Sequence, residues 1–198
     1  MNDPRRDAWS DFRSLTGARI ALGRAGGSLP TRELLDFGLA HARARDAVTM
    51  SFDASGLARD FESAGLPTVL LKSAANTREE YLRRPDLGRR LADASRATCA
   101  ALAQSSSFDL SIIVSDGLSA RATVHAQPIV TALHTGLTSK GWTIAPMIVV
   151  PFARVAIQDE IGSALNASIS LILLGERPGL GSPDSLGAYF VWAPKVWR

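Results

Sequence analysis

One cysteine, Cys99, stands in 198 residues, so no disulfide can close within the chain. A chain of this size without such bridges fits a reducing cytoplasm. Histidine is scarce as well: His41, His125 and His134 are too dispersed for helical metal-ligand spacing. No apolar run reaches the roughly 18 residues that a membrane span needs. The opening residues Met1-Asn2-Asp3-Pro4-Arg5-Arg6-Asp7 lack the apolar core of a secretory leader. Lysine is rare too. The 22 basic residues against 19 acidic ones, net +3, and the pI of about 9.5 therefore rest largely on arginine. The arginines are spread along the chain, and so small an excess is no nucleic-acid footprint, which requires clustering on one face.

What is present is an ordinary globular composition, 46% hydrophobic and 21% charged, which excludes wholesale disorder. A chain of this length buries about 70% of its unfolded surface and forms one domain, or a small one beside a larger one. The first third reads as helical. Trp9, Phe12 and Leu15 recur at three-residue spacing, and a glycine-rich break spans Gly23 to Pro30. Thr31 then reads as an N-cap, with Leu34, Leu35, Gly38, Leu39 and Ala42 along a helix towards Val48, and Phe52 to Ala64 as a third helix. From there strands alternate with helices: a strand at 68–72, a helix from Arg83 to Ala103 with Pro85 in its first turn, and a strand at 110–114. A long helix at 119–137, a strand at 143–150, a helix at 157–165 and strands at 168–174 and 188–192 follow. Pro146 inside the third strand predicts an edge or a bulge. The expected fold is α/β: a Rossmann-like, doubly wound, mostly parallel sheet at 66–198, preceded by a small helical domain at 1–65.

Ligands of such sheets bind beyond the carboxyl ends of the strands. Three loops there stand out: Ser115 to Ala120, Phe152 to Gly162, and Gly175 to Gly187, the last with four glycines and two prolines in thirteen residues. Each has a plain alternative. Asp116 suits a turn or cap, Arg154 a surface ion pair, Glu176 and Arg177 a mutual or neighbouring pair, and Cys99 a small packing residue. No phosphate signature fits. Gly175, Gly179 and Gly181 are misspaced for a dinucleotide fingerprint, and Gly162-Ser163 lacks the second glycine of a nucleophile elbow. No base, nucleophile or metal constellation is evident, so no residue is assigned as catalytic and none as a metal ligand. Composition and spacing end at an α/β ligand-binding domain with a helical N-terminal part.

Longer motifs carry more. Ala18-Arg19-Ile20-Ala21-Leu22-Gly23-Arg24-Ala25-Gly26-Gly27, then His41-Ala42-Arg43-Ala44-Arg45-Asp46-Ala47-Val48, then Tyr81-Leu82-Arg83-Arg84-Pro85-Asp86-Leu87-Gly88-Arg89-Arg90-Leu91 succeed one another, followed by the three loops in order. Over nearly the whole chain this resembles the light subunit of ethanolamine ammonia-lyase. The resemblance implies a cytoplasmic, adenosylcobalamin-dependent enzyme, packaged in a bacterial microcompartment in some members, that converts ethanolamine to acetaldehyde and ammonia. It implies a large TIM-barrel subunit that carries the radical chemistry, with the corrin held base-on at the subunit interface. By motif match Val155 and Glu176 are its cobalamin-contacting positions. Arg154, Asp116, Gly117, Gly175, Arg177 and Gly179, on the same loops, complete the candidate set. The resemblance also implies several dozen residues beyond the last strand, including an Asn-Cys-Ile-Ser-Asn-like cofactor contact, whereas this sequence ends at Arg198. Weaker cofactor retention is the corresponding expectation. A truncated scaffold docking on the large subunit, and a stand-alone α/β enzyme using a nucleotide cofactor, are the alternatives.

Overall fold

A computed structural model describes residues 7–103 and 107–196. The stretch read for a leader, apart from Asp7, and the last two residues of the chain lie outside them. At the centre is a five-stranded sheet in the order β1-β3-β2-β4-β5, built from β1 (Thr68–Leu70), β2 (Phe108–Ser115), β3 (Met147–Val149), β4 (Ala167–Gly175) and β5 (Leu186–Trp192). The first four pair in parallel, and β5 returns antiparallel along β4. Strands β2 and β4 are Ile, Leu and Val runs buried on both faces, as central parallel strands must be. Their one polar pair, Ser111 and Ser170, is satisfied by a mutual hydroxyl hydrogen bond of 2.9 Å.

The helices of the sheet-forming region are α2 (Ala54–Ser63), α3 (Arg78–Arg83), α4 (Asp93–Ala103), α5 (Ala126–Thr138) and α6 (Ile157–Ala164). Two cores separate by face. Leu57 and Phe61 of α2 and Ala126 and Val130 of α5 pack with Ile112, Val114, Leu171 and Leu173 on one side. Cys99 of α4 and Ile157 and Ile161 of α6 pack with Ile113, Ile148 and Ile172 on the other. The crossovers β1 to β2 and β3 to β4 run one way over the second face, and β2 to β3 runs back over the first. All three therefore share one hand, the rule for β-α-β units.

Local chemistry explains where the elements depart from expectation. The helix expected at 83–103 is interrupted: α3 ends at Arg83, because Pro85 pushes Arg84 out of the helical region, to φ −123° and ψ 76°. A short 3-10 turn at Leu87–Arg89 and then α4 follow. The helix expected at 119–137 winds as a 3-10 helix over Ala120–His125 and becomes α-helical only from Ala126. Pro128 has no N–H to extend an α-helical ladder backwards, so it sits in the first α turn. Pro146 does not mark an edge. It precedes β3, an interior strand, whose neighbouring residues Ala145 and Met147 donate N–H to Leu110 O (2.9 Å) and Pro67 O (2.7 Å). The helix expected from Ala8 to Ile20 is reduced to a 3-10 helix over Ser10–Leu15, after which Thr16 is extended and no helix continues to Ile20. In helix α1 (Thr31–Thr49) Pro30, not Thr31, takes the N-cap position and offers no side-chain cap, and the helix buries only Ala40 and Ala47. Its Leu34, Leu35 and Leu39 are exposed.

Candidate functional site

Adjacent strands β2 and β3 send their following helices to opposite faces, so a crevice opens between their carboxyl ends, the topological switch point of the sheet. The loop after β2 crosses it. The Asp116 carboxylate is 2% exposed and fully engaged. Its Oδ1 accepts from the Phe152 N–H at 2.7 Å and the Ser115 hydroxyl at 3.3 Å, and its Oδ2 accepts from Arg78 Nη1 at 3.1 Å. Burial pushes its pKa above the usual carboxylate range, against the pull of the Phe152 N–H and the Arg78 guanidinium. Arg78 also donates to Gly117 O, and through Nη2 to Val48 O at 3.2 Å, tying the end of α1 to the crevice.

On the β3 side, Phe152 turns into the left-handed region at φ +56°. The Asp116 bond to its N–H and the Ser115 hydroxyl's bond from the Ala153 N–H, 3.1 Å, hold that turn. The Arg154 backbone N–H donates to Gly88 O at 2.7 Å and its Nη2 to Tyr81 O at 3.2 Å. Its guanidinium lies 4.2 Å above the Tyr81 ring, with that of Arg78 at 5.2 Å from the same ring. Tyr81 is fully buried. Burial raises its phenol to about 12, opposed by Arg154. Among the described residues three buried side-chain atoms lack a hydrogen-bond partner, Arg78 Nε, Tyr81 Oη and Arg154 Nε, and all three belong to this cluster.

The loop after β4 presses on the loop after β2. Gly117, at φ +49°, could not carry a Cβ without overlapping Gly175 O and the Leu174 side chain. A Cβ at Gly175 would overlap the Asp116 and Ser119 carbonyls. Both glycines are therefore close-approach points between two loops. Glu176 is half-buried: Oε1 accepts from the Tyr189 hydroxyl on β5, and the backbone N–H donates to Ser185 O at 2.9 Å. Arg177 and Gly179 are exposed, Gly179 in a turn closed on Ser182. Val155 is half-buried against the second core.

The predicted set thus divides. Asp116, Gly117 and Gly175 meet in one packed knot, Arg154 joins it through Tyr81 and Phe152, and Glu176 pairs outward with β5. Arg78, one hub of the knot, carried no site signal in the sequence; Tyr81 appeared only as the start of a motif and Phe152 only as the start of the second loop. Beside Val155 lies a cleft of about 630 Å³, with Arg89, Arg90, Ala156 and Asp159 on its walls.

The sequence pattern described as ethanolamine ammonia-lyase light chain matches residues 6–198. The chain belongs to the ethanolamine ammonia-lyase light chain family. It is 52% identical over 191 residues to the ethanolamine ammonia-lyase small subunit of Pseudomonas syringae pv. tomato, covering 95% of this chain and 67% of that protein. The small subunit of Pseudomonas putida KT2440 is 52% identical, with 95% of this chain and 70% of that protein covered. That of Pseudomonas fluorescens Pf-5 is 48% identical over 194 residues, 96% of this chain and 71% of that protein. In this light chain the motif Tyr81 to Leu91 and the three sheet-end loops come together at one edge of the sheet. No helix among its described residues is long and apolar enough to cross a membrane.

Proposed function

We propose that this light chain holds adenosylcobalamin between its sheet-end loops and a large catalytic subunit in the cytoplasm. The assembled enzyme converts ethanolamine to acetaldehyde and ammonia. The observation that carries this reading is that the stretch from Tyr81 to Leu91 and the loops after β2, β3 and β4 converge on the carboxyl edge of a parallel sheet, at its switch point, in a chain matching the light chain family over residues 6–198. In this reading residues 66–198 are a Rossmann-like cofactor domain and 1–65 a helical N-terminal domain joined to it through α2.

The donor set suits a corrinoid, a broad apolar disc rimmed with amides. Glu176 Oε1 is taken by Tyr189, while Oε2 accepts nothing among the described residues and is open to rim amide N–H groups. Val155 and the exposed Gly179 turn offer apolar and backbone surface. Arg177 is exposed on the same loop. Asp116 has no free oxygen to offer: it fixes Phe152 and so sets the loop that presents Arg154 and Val155. Gly117 and Gly175 act by letting the loops close on each other. When bound, the cofactor supplies cobalt–carbon homolysis, and the protein's part is to bind, orient and exclude water.

The test is reconstitution. Co-expression with a Pseudomonas large subunit, followed by addition of adenosylcobalamin and ethanolamine, is expected to yield acetaldehyde only when both chains are present. No turnover with the partner, or turnover by this chain alone, overturns the reading.

A further inference from the structure

We propose that Arg89 and Arg90 form an anion subsite that takes the phosphodiester of the cobalamin nucleotide tail; this rests on the cobalamin reading above. Six arginines lie along the strip from α3 to α4, and four have carboxylate partners, Arg78 among them through Asp116. Arg83 pairs with Glu79 at 3.0 Å, and Arg84 grips Asp86 through two bonds of 2.9 and 2.7 Å. Arg96 pairs with Glu160 and Asp93. Arg89 and Arg90 are exposed and form no ion pair or hydrogen bond with a carboxylate among the described residues, although Arg90 acts on the Asp86 carboxylate through space. Both line the cleft of about 630 Å³ beside the Val155 loop, with Ala156 at its rim.

The pair is rigidly presented. The Arg89 N–H donates to Asp86 O at 3.2 Å and the Arg90 N–H to Leu87 O at 3.3 Å, while Arg90 O accepts from the Ala74 N–H at 2.8 Å. One residue on, the Leu91 N–H is held by Glu160 Oε2 at 2.7 Å. The backbone beneath the two guanidinium groups is thus pinned from both sides, so little ordering is needed to engage an anion.

The acidic groups facing the cleft do not cancel this charge. Asp86 is consumed by Arg84, and Glu160 by Arg96 and the Leu91 N–H. Asp159 alone is unpaired, and burial raises its pKa. Two uncommitted cations and one carboxyl acceptor describe a ligand with an anion next to an N–H donor. Cobalamin joins its phosphodiester, its single anionic group, to the corrin through a secondary amide. Bidentate guanidinium binding suits a phosphodiester better than it suits the neutral corrin amides.

Cobinamide is the discriminating probe, since it keeps the corrin and its amides but ends before the phosphate. Cyanocobalamin and dicyanocobinamide would be titrated, by visible absorbance and equilibrium dialysis, into this chain assembled with a large subunit. The double substitution R89A/R90A is expected to weaken cobalamin about 10–100-fold, the loss of charge-assisted hydrogen bonds, and to leave cobinamide within about 2-fold. R89Q/R90Q should behave the same way, and R89K/R90K, which keeps the charge but not the bidentate fork, should recover only part of the affinity. Equal loss for both corrinoids, no loss for either, or impaired subunit assembly with intact corrinoid binding overturns the anion subsite. If the unsubstituted assembly binds neither corrinoid, the cofactor reading itself falls.

Discussion

Tyr81 concentrates the energetics of the site in one side chain. Its ring stacks under two guanidinium groups, yet its hydroxyl is buried without a partner. A buried donor left unpaired costs about 1–3 kcal/mol, so Tyr81→Phe should keep the ring contacts and raise stability by about 1 kcal/mol at neutral pH, measured by urea unfolding. A loss instead would show that the hydroxyl is satisfied. The same residue sets an alkaline limit. Its phenol titrates near 12 in the folded chain and near 10 when unfolded. Between those values the unfolded chain releases the proton while the folded chain keeps it, so stability falls as pH rises from 10 to 12. Tyr81→Phe should reduce that fall and leave the contributions of Tyr189, raised by its bond to Glu176, and of Cys99, whose thiol burial pushes up to about 11. Glu176 makes a separate case: Glu176→Ala should weaken cobalamin in the assembled enzyme by about 1–3 kcal/mol, read as a shifted dissociation constant. An unchanged constant would leave Glu176 as the partner of Tyr189 only. At this scale the sequence was half legible. Asp116 stands out after a strand, but its direction is decided by Arg78 and Phe152, which lie 38 and 36 residues away, and no local pattern reports such partners.

Among the elements, the two-faced apolar runs β2 and β4 and the helix α6 were legible because burial on both faces and short helical spacing leave local traces. Three misjudged elements, the helices expected at 83–103 and 119–137 and the strand expected at 143–150, share a cause in proline. Pro85, Pro128 and Pro146 act on the residues before them and on hydrogen bonds further back, so a helix judged by apolar spacing alone runs through stops that the backbone cannot. Glycines are ambiguous in the same way, since the sequence does not say whether one faces a ligand or another loop. The structure separates them, with a measurable consequence. Gly117→Ala or Gly175→Ala should cost about 2–3 kcal/mol, because each new methyl meets backbone that is already in place. Gly181→Ala, in open space, and Gly179→Ala, whose nearest neighbour stands at 3.9 Å, should stay within about 0.5 kcal/mol. Thermal unfolding of the four variants checks the contrast, and equal effects would mean that the β2 and β4 loops are not locked together.

For the whole molecule, alternating strands and helices foretold a parallel sheet covered on both faces, whereas the strand order could not be read, because crossover direction is decided by tertiary packing and leaves no local periodicity. That order matters for function. It opens the crevice between β2 and β3, and the Asp116, Phe152 and Arg78 bonds fill its floor with protein, so in the proposed reading the cofactor would lie over the loops and not deep between the strands. On that reading the chain would cover a corrin on one side only. The core that holds the loops belongs to strands and helices packed on both faces of one sheet, so the chain should unfold cooperatively on its own. Cofactor binding should behave differently. With one face of a large disc left in water, the isolated chain lacks the contacts and the water exclusion that a second subunit adds. The expected result is a single cooperative thermal transition for the isolated chain, and a cobalamin dissociation constant at least about 10-fold weaker than in the assembly with a large subunit, a difference of about 1.4 kcal/mol or more. Equal affinity alone and assembled would mean that these loops enclose the cofactor without help, and the picture of a one-sided platform would have to be abandoned.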